Sequence, residues 1–327
     1  MKLGRNLTNT FTIEVLTPEE QESILSGKEN LFTLNAWGII KMKSDIKHFI
    51  EVAKKIGVRH LELDCDVPTP YIEFTKQEIE EAKKMFQDNG ITISVHLPYT
   101  MSAVSNIASP QEFERLIAQD AAKKYLDFAI NIGAVAVVIH PGKAPFYFAS
   151  KHYLSILEEK IVTTLFNLAK YINDSSDIKF HLENNTAFEG IYYNIEDCVR
   201  IVQKVRDKGA EIYFNFDIGH WFTKEKTGEN LPSPFLNELK KIPSNIVWEF
   251  HLNDFIVEDT IFHPPLIEQK GKLTKEILKE YARIVKNLEV QLLVLETAFH
   301  NIEQIKNRYE IIKQENEYIS EIFEERW

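Results

Sequence analysis

Six short apolar runs of the sequence end in a residue type that binds divalent metal ions. These residues are His96, His140, Glu183, Asp217, His251 and Glu296. Histidine nitrogens and carboxylate oxygens are common ligands of zinc, manganese, magnesium and cobalt. With 10 histidines and 49 acidic residues in 327, six such endings arise by chance in roughly one sequence in a hundred. His220 and His263, which follow two of the runs, strengthen this prediction of a metal site.

A carboxylate at the end of a buried apolar run needs a positive neighbour, because an unpartnered buried charge costs several kcal/mol. No lysine or arginine stands at any of the six run ends. A metal ion is therefore the simplest common counter-charge. The alternative for each histidine taken alone is a hydrogen-bonded structural role in a partly buried place.

Eight apolar runs alternate with segments of helical period, a pattern typical of a parallel sheet with crossover helices. The runs are Leu31–Trp37, His60–Cys65, Ile91–His96, Ala134–His140, Ile178–Glu183, Glu211–Asp217, Ile246–His251 and Gln291–Glu296. Eight strand and helix pairs predict one α/β domain, a (β/α)8 TIM barrel, whose active site is built at the C-terminal ends of the strands. An open doubly wound sheet is the alternative, but no glycine-rich phosphate loop follows any run.

The predicted domain organisation has two parts. Residues 1–30 form an N-terminal extension, in which Phe11–Val15 is a short extra strand or a lid, and residues 31–327 form the barrel with a long C-terminal helix. That helix carries an apolar stripe at Ile302, Ile305, Tyr309, Ile312, Ile319 and Phe323. The stripe predicts packing against the barrel or against a partner helix, as in a homodimer.

Three other carboxylates stand near the predicted rim. Asp254 follows His251 by three residues, and we expect it to orient a ligating imidazole rather than to bind the ion itself. Glu62 and Asp64 lie on the second run. The sequence leaves open whether they contribute to the site or whether Asp64 caps the following turn.

The motifs around these residues resemble the xylose isomerase-like TIM barrel superfamily, which includes sugar isomerases and epimerases and enzymes of the endonuclease IV type. The matching segments run in family order, one for each strand end. They are His96-Leu97-Pro98-Tyr99, His140-Pro141-Gly142, Leu182-Glu183-Asn184-Asn185, Asp217-Ile218-Gly219-His220, His251-Leu252-Asn253-Asp254, His263-Pro264-Pro265-Leu266 and Leu295-Glu296-Thr297.

The resemblance to the isomerase and epimerase branch implies one divalent ion, zinc, manganese, magnesium or cobalt, held by Glu183, Asp217, His251 and Glu296. It also implies that Glu183 and Glu296 are the catalytic acid and base and that His220 holds a substrate oxygen. In that chemistry a proton moves between adjacent carbons through an enediolate. The ketose epimerases usually carry an arginine after the seventh-strand histidine, where this sequence has Phe255-Ile256-Val257.

The resemblance to the endonuclease IV branch implies three zinc ions and nine ligands, of which eight are present. They are His96, His140, Glu183, Asp217, His220, His251, His263 and Glu296. The ninth position, an aspartate in that branch, is Ile261. Unless Glu258 or Asp259 supplies a ligand, the third ion keeps two imidazoles only, so we expect one or two tightly bound ions and a third that is weak or absent.

Charge separates the two branches further. A formal net charge of −11 repels a phosphate backbone, and the mouth loops supply little beyond Lys143 and Lys224. Nucleic acid is therefore a disfavoured partner, though not an excluded one. The leading interpretation is an isomerase or epimerase of a small sugar or sugar-like molecule, with Tyr99, Asn185 and Lys143 as substrate contacts. The alternatives are a metal-dependent phosphoester hydrolase, with abasic DNA as one substrate, and a metal-containing binding protein without activity.

The remaining composition fits a reducing compartment. Cys65 and Cys198, the two cysteines, have no paired spacing, so neither a disulfide framework nor a thiolate metal site is expected. The sequence shows no signal peptide and no run of membrane-spanning length. We therefore expect a cytoplasmic protein without a membrane partner.

Overall fold

The computed structural model describes residues 1–99, 105–144 and 151–327. Eight parallel strands form a nearly closed barrel, and two short strands form a separate antiparallel hairpin. The barrel strands are β1 (Lys2–Asn6), β2 (His60–Asp64), β3 (Thr92–His96), β4 (Ala136–Ile139), β5 (Lys179–Glu183), β6 (Tyr213–Asn215), β7 (Glu249–Leu252) and β10 (Leu292–Glu296), and the hairpin strands are β8 (Phe255–Ile256) and β9 (Ile261–Phe262).

Helices surround the barrel, as expected for crossovers between parallel strands. They are α1 (Pro18–Leu25), α2 (Leu31–Ser44), α3 (Ile46–Ile56), α4 (Lys76–Asp88), α5 (Glu112–Ile132), α6 (Lys151–Asn173), α7 (Ile195–Asp207), α8 (Ile218–Phe222), α9 (Lys275–Asn287), α10 (Ile302–Lys306) and α11 (Arg308–Phe323). None of the helices within the described ranges has the length and hydropathy needed to cross a bilayer.

The strand order around the barrel is β6-β5-β4-β3-β2-β1-β10-β7. Two single bridges, Phe214 with Val247 and Asp217 with His251, join β6 to β7. The predicted (β/α)8 barrel in one domain is therefore confirmed. Seven of the eight predicted runs overlap an observed strand, and the six predicted metal ligands stand at the C-terminal ends of those strands or in the residues just after them.

The first strand is β1, so the prediction that residues 1–30 precede the barrel was wrong. β1 pairs with β10 from Lys2 opposite Leu292 to Asn6 opposite Glu296, and its other edge pairs with β2. The predicted strand Leu31–Trp37 was also wrong, because it is the first half of α2. Periodicity alone does not separate a short apolar run in a strand from one in a helix.

The sequence around α2 and β1 explains both errors. The Asn30 side chain accepts a hydrogen bond from the backbone N–H of Thr33 at 3.0 Å and caps α2. Phe11–Val15, predicted as a strand or a lid, contains a 3-10 helix at Thr12–Val15. β1 itself contains Gly4 and Arg5, which are not typical strand residues.

Gly4 and Arg5 of β1 are both buried against specific partners. A Cβ atom on Gly4 would lie 2.4 Å from Cδ2 of His60, so only glycine lets β1 approach β2 here. The buried Arg5 guanidinium donates from Nη2 to Oε2 of Glu315 at 2.8 Å and from Nε to Oδ1 of Asn316 at 2.6 Å. Its charge is thus neutralised by α11.

The apolar stripe of the C-terminal helices is used within the chain. Ile312, Ile319 and Phe323 are buried, and α11 lies against α3 and α9. The ring of Tyr309 packs on Phe11 with 4.9 Å between centroids. Because this stripe already has a partner, it gives no argument for a homodimer.

Candidate metal centre

Glu183 lies at the centre of the C-terminal rim, at the end of β5, and its side chain is buried. Its Oε2 atom is 3.1 Å from Nε2 of His96, 3.5 Å from Nε2 of His140 and 3.4 Å from Nδ1 of His251. Its Oε1 atom is 3.1 Å from Nδ1 of His220. One carboxylate therefore faces four imidazoles that come from different parts of the chain.

Two further carboxylates complete the rim. Glu296, at the end of β10, lies with Oε1 3.7 Å from Nδ1 of His251 and with Oε2 3.8 Å from Nε2 of His263. Asp217 Oδ2 is 3.9 Å from Nδ1 of His220. The Asn253 amide donates to both Asp217 Oδ2 and Glu296 Oε2. All eight ligand positions predicted from the sequence are thus brought together.

The donor atoms fall into four overlapping groups, in each of which the atoms lie within 4.8 Å of one another. The groups are His96, Glu183 and His251; His140, Glu183 and His220; Asp217, His220, His263 and Glu296; and Glu62, His251 and Glu296. Histidine nitrogens and carboxylate oxygens in this combination suit zinc and also suit manganese or cobalt.

Buried nitrogen atoms without hydrogen bonds indicate that the residues fit a cation. His140 Nε2, His251 Nδ1 and His263 Nε2 are buried, and none makes a hydrogen bond to the described residues. Each such atom costs about 1–3 kcal/mol when it is left unsatisfied. Each of the three faces a carboxylate of the rim and belongs to a different donor group, so divalent ions bound at these groups would satisfy them.

Burial and neighbouring charges shift the pKa values of the rim residues in different directions. Burial alone would raise the pKa of Glu183. The imidazoles of His251 and His140 instead hold this pKa well below its usual range. Burial raises the pKa of Glu296 to about 8 and lowers that of His140 to about 3. His140 is therefore a neutral imidazole at physiological pH, which is the form that binds metal ions.

The second nitrogen of several rim histidines is held in place. Glu62 Oε2 is 3.2 Å from Nε2 of His251, Asn185 Oδ1 is 3.2 Å from Nδ1 of His140, and the Leu97 carbonyl oxygen is 2.9 Å from Nδ1 of His96. Ligating histidines are commonly oriented in this way. Glu62, which the sequence left open, therefore belongs to the site, and its position beside His251 required the fold.

The prediction that Asp254 orients an imidazole was wrong. Its carboxylate accepts hydrogen bonds from the backbone N–H groups of Phe255, Lys272 and Leu273, at 2.8, 3.0 and 2.9 Å. A Cβ atom on Gly271 would lie 2.3 Å from this carboxylate. Asp254 therefore fixes the loop before α9.

Asp64 adopts the capping role that the sequence left open. Its Oδ1 accepts the backbone N–H of Asp66 at 2.7 Å, and its Oδ2 is 3.3 Å from Nζ of the buried Lys43. Both oxygens of the carboxylate therefore serve the turn after β2.

The hairpin β8–β9 brings His263 to the rim. Ile261, whose apolar side chain carries no ligand atom, pairs with Ile256 in this hairpin. Glu258 and Asp259 lie on its exposed turn and belong to none of the four donor groups. Asp217 and Glu296 instead provide carboxylates beside His220 and His263, so this part of the rim holds four donors rather than two imidazoles.

Local contacts explain why the motif from Asp217 to His220 contains an aspartate and a glycine. Asp217 caps α8, because its Oδ1 accepts the backbone N–H of His220 at 2.6 Å. A Cβ atom on Gly219 would lie 1.7 Å from Oδ1 of Asn253. Glycine therefore lets α8 approach the loop after β7, and this approach places His220 over Glu183.

All three predicted substrate contacts line the space above the rim. The ring of Tyr99 lies over His96 and His140, with centroids 5.5 and 5.0 Å apart. Lys143 lines a small pocket beside Tyr99 and His140. Asn185 lines the same pocket, and its amide donates to the carbonyl oxygens of Gly142 and Ile191 at 2.6 and 2.9 Å while its oxygen faces His140. Its side chain therefore also holds the rim together, and its role as a substrate contact stays a prediction.

A cleft of about 870 Å³ opens from His220 and His263 and extends to the first turns of α2. Its walls combine aliphatic, aromatic, imidazole, amide and hydroxyl side chains, with Glu189 as the acidic group, and no lysine or arginine is among its described lining residues. The space is therefore suited to a neutral molecule that has both polar groups and an apolar face.

A parallel eight-stranded barrel with histidines and carboxylates around its C-terminal rim defines a class of TIM barrel proteins with a candidate metal centre. Residues 50–265 match the family described as xylose isomerase-like TIM barrel. The chain belongs to this family, which confirms the resemblance seen in the sequence motifs.

Other proteins share this fold. The chain is 28% identical over 223 residues to the uncharacterized protein MJ1311 of Methanocaldococcus jannaschii, an alignment that covers 60% of this chain and 71% of the relative. It is also similar to D-psicose 3-epimerase with D-tagatose from Clostridium cellulolyticum H10, with 15% identity, 99% of both chains covered and a TM-score of 0.69. The IolI protein with a bound zinc atom shows 15% identity, covers 100% of this chain and 99% of its own, and gives a TM-score of 0.67. At these identities the two structures support the fold.

Proposed function

We propose that the protein is a divalent-metal-dependent isomerase or epimerase of a neutral sugar or sugar-like substrate. One observation carries the proposal. Glu183 and Glu296, from β5 and β10, approach the same nitrogen of His251, at 3.4 and 3.7 Å. Two carboxylates beside one metal-binding imidazole are an arrangement that can take a proton from one carbon of a bound substrate and return a proton elsewhere.

Glu183, Asp217, His251 and Glu296 are the residues that would hold the ion. When bound, a divalent ion polarises the substrate carbonyl and stabilises the negative charge of the enediolate. One of the two glutamates removes the proton from the carbon next to the carbonyl, and the electrons of that C–H bond form the enediolate double bond. The other glutamate delivers a proton, to the opposite face in an epimerase. His220, 3.1 Å from Glu183, holds a substrate oxygen.

The cleft and the relatives support a neutral substrate. The described lining residues of the cleft include no lysine or arginine that would pair with a phosphate. A protein with the same fold is named as a D-psicose 3-epimerase, and another contains a bound zinc atom. The first name agrees with chemistry on a small sugar, and the second agrees with binding of a divalent metal ion by this fold.

A phosphoester hydrolase is the second candidate. His96, His140 and Glu183 approach one another closely enough for a second ion beside the first. Two neighbouring ions are typical of enzymes that hydrolyse phosphoesters. The net charge of −11 and the absence of lysine and arginine from the described lining of the cleft disfavour this candidate.

The experiment is solvent proton exchange. Protein supplemented with zinc or manganese is incubated with D-fructose in deuterated water, and deuterium at the carbons next to the carbonyl is followed by NMR. We expect metal-dependent incorporation, its loss in Glu183→Gln, and its retention in Glu112→Gln, an exposed glutamate on α5. Exchange that persists in Glu183→Gln would refute the proposal. Hydrolysis of bis-p-nitrophenyl phosphate without any exchange would favour the second candidate.

A further inference from the structure

We propose that the outer part of the cleft binds a second, neutral ring of the substrate, so that the substrate is a glycosylated sugar rather than a free monosaccharide. This inference rests on the proposed function, because it takes the reacting sugar to lie at the metal rim. It concerns the half of the cleft between α2 and the 3-10 helix at Ala187–Glu189.

The size of the cleft is the first argument. Its volume of about 870 Å³ lies near the upper end of the roughly 300–1,000 Å³ that pockets for drug-sized ligands occupy. A single sugar ring at His220 and His263 fills only a part of this space. The remainder extends about one helical turn along α2, past Leu31, Leu34 and Asn35.

Exposed aromatic rings are the second argument. Phe32, in the first turn of α2, is 86% exposed, and Phe188 is 48% exposed. Both line the cleft. Large aromatic side chains that stay exposed beside a polar site commonly mark a binding surface. Their flat faces can pack against the C–H face of a sugar ring.

Free amide groups are the third argument. Asn9 and Asn35 are exposed and line the cleft. Neither side chain hydrogen-bonds to the described residues, whereas the Asn30 side chain is used to cap α2. An amide supplies two donors and an acceptor oxygen, which match the hydroxyl groups of a sugar. Amides beside aromatic faces favour a glycosyl ring over a purely apolar group.

Charge is the fourth argument. Glu189 is the acidic residue of the cleft wall, and its described lining contains no lysine or arginine. An anionic substituent such as a phosphate would remain without a counter-charge here. The second group of the substrate is therefore neutral.

The test compares four ligands that share one ketose. D-fructose is the free sugar, isomaltulose and lactulose carry a neutral glycosyl ring on its O6 or O4, and fructose 6-phosphate carries an anion. Dissociation constants are measured by calorimetry on the zinc-supplemented protein. We expect at least one of the two disaccharides to bind about tenfold more tightly than fructose, since partial burial of one ring supplies that factor. Fructose 6-phosphate should bind no more tightly than fructose.

Phe32→Ala is the decisive variant, because the exposed side chain contributes little to folding. It should remove the advantage of the disaccharide and leave fructose binding unchanged. Phe113→Ala is the matched control, since Phe113 is 73% exposed on α5 and is not part of the cleft lining. The inference is overturned if neither disaccharide binds more tightly than fructose, if Phe32→Ala keeps the preference, or if Phe113→Ala loses it equally. Tight binding of fructose 6-phosphate would also overturn it.

The outcomes separate this inference from the proposed function. Proton exchange into fructose without a preference for either disaccharide removes the inference alone. A disaccharide preference that depends on Phe32, in a protein that exchanges no protons, removes the proposed chemistry and keeps the second-ring site.

Discussion

Glu62 and His251 form a buried pair beneath the candidate metal centre. The Oε2 atom of Glu62 lies 3.2 Å from Nε2 of His251, and the opposite ring nitrogen, Nδ1, points to Glu183. Both side chains are fully buried. With Nε2–H donated to Glu62, the lone pair of Nδ1 is directed to the rim, which is the state that a metal ligand needs.

Replacing Glu62 should therefore weaken metal binding without removing a ligand. We expect Glu62→Gln to raise the dissociation constant for zinc about 10- to 100-fold, because the ring of His251 is less firmly oriented and less basic. The measurement is competition with a chromophoric chelator at pH 7. Circular dichroism of the metal-free variant shows whether the fold is kept.

Asp254→Asn is the control for this prediction, since Asp254 is also a buried carboxylate in the His251-Leu252-Asn253-Asp254 segment. It accepts hydrogen bonds from the loop before α9 and not from an imidazole. We expect lower stability and near-normal zinc affinity. Loss of zinc affinity in Asp254→Asn, with normal affinity in Glu62→Gln, would reverse the assignment of the two carboxylates.

The number of ions should respond differently to substitutions on the two sides of Glu183. We expect one or two zinc ions per chain in the wild-type protein, measured by mass spectrometry of the metals after chelator-free purification. His140→Ala should leave the ion at Glu183, Asp217, His251 and Glu296 in place, whereas Asp217→Asn should release it. Equal metal loss in both variants would contradict a principal site on the Asp217 side.

Burial of His60 predicts a specific pH dependence of stability. Burial lowers the pKa of His60 from 6.5 to about 3, so the unfolded chain binds a proton below pH 6.5 that the folded chain does not bind. The stability contributed by the neutral imidazole is therefore present above pH 6.5 and is lost as the pH falls toward 3.

The variant His60→Asn should show this effect in the difference between its free energy of unfolding and that of the wild-type protein. Its destabilisation relative to wild type, measured by urea unfolding, should shrink by about 1 kcal/mol for each pH unit below 6.5. Using the difference cancels the titration of other groups. A destabilisation that stays constant between pH 6.5 and 5 would contradict the prediction.

The buried ion pair between Arg5 and Glu315 predicts a large loss of stability. Glu315→Gln leaves the Arg5 guanidinium without its counter-charge, and removal of one partner of a buried pair costs about 3–5 kcal/mol. Glu317→Gln, an exposed glutamate on the same helix, should change the free energy of unfolding by less than about 0.5 kcal/mol. Similar effects of the two substitutions would show that the pair contributes little.

The rim was largely predictable from the sequence, because parallel strands place their C-terminal ends on one side of the barrel. His96, Glu183 and Glu296 each end an apolar run, so period and position were sufficient to bring them together. His220 and His263 follow two of these runs along the chain, and the structure places His220 in α8 and His263 directly after β9.

The remaining features depend on contacts between distant residues. Glu62 has no local signal, because its partner His251 is 189 residues away. Gly4 and Arg5 make β1 hard to predict as a strand. Both residues fit a strand here only because Gly4 packs against His60 and Arg5 pairs with Glu315. The role of Asp254 is set by backbone groups of a loop 18 and 19 positions later. Spacing in the chain carries no information about such partners.

The position of β1 between β2 and β10 also has a consequence for how the chain folds. The buried guanidinium of this strand finds partners in Glu315 and Asn316, 310 and 311 positions later. During synthesis, β1 therefore lacks these partners until the residues of α11 have left the ribosome. Contacts of such long separation form slowly. Until β10 and α11 are made, a nascent chain therefore exposes the edge of β1 that pairs with β10, together with an uncompensated arginine, and is most open to chaperones and proteases.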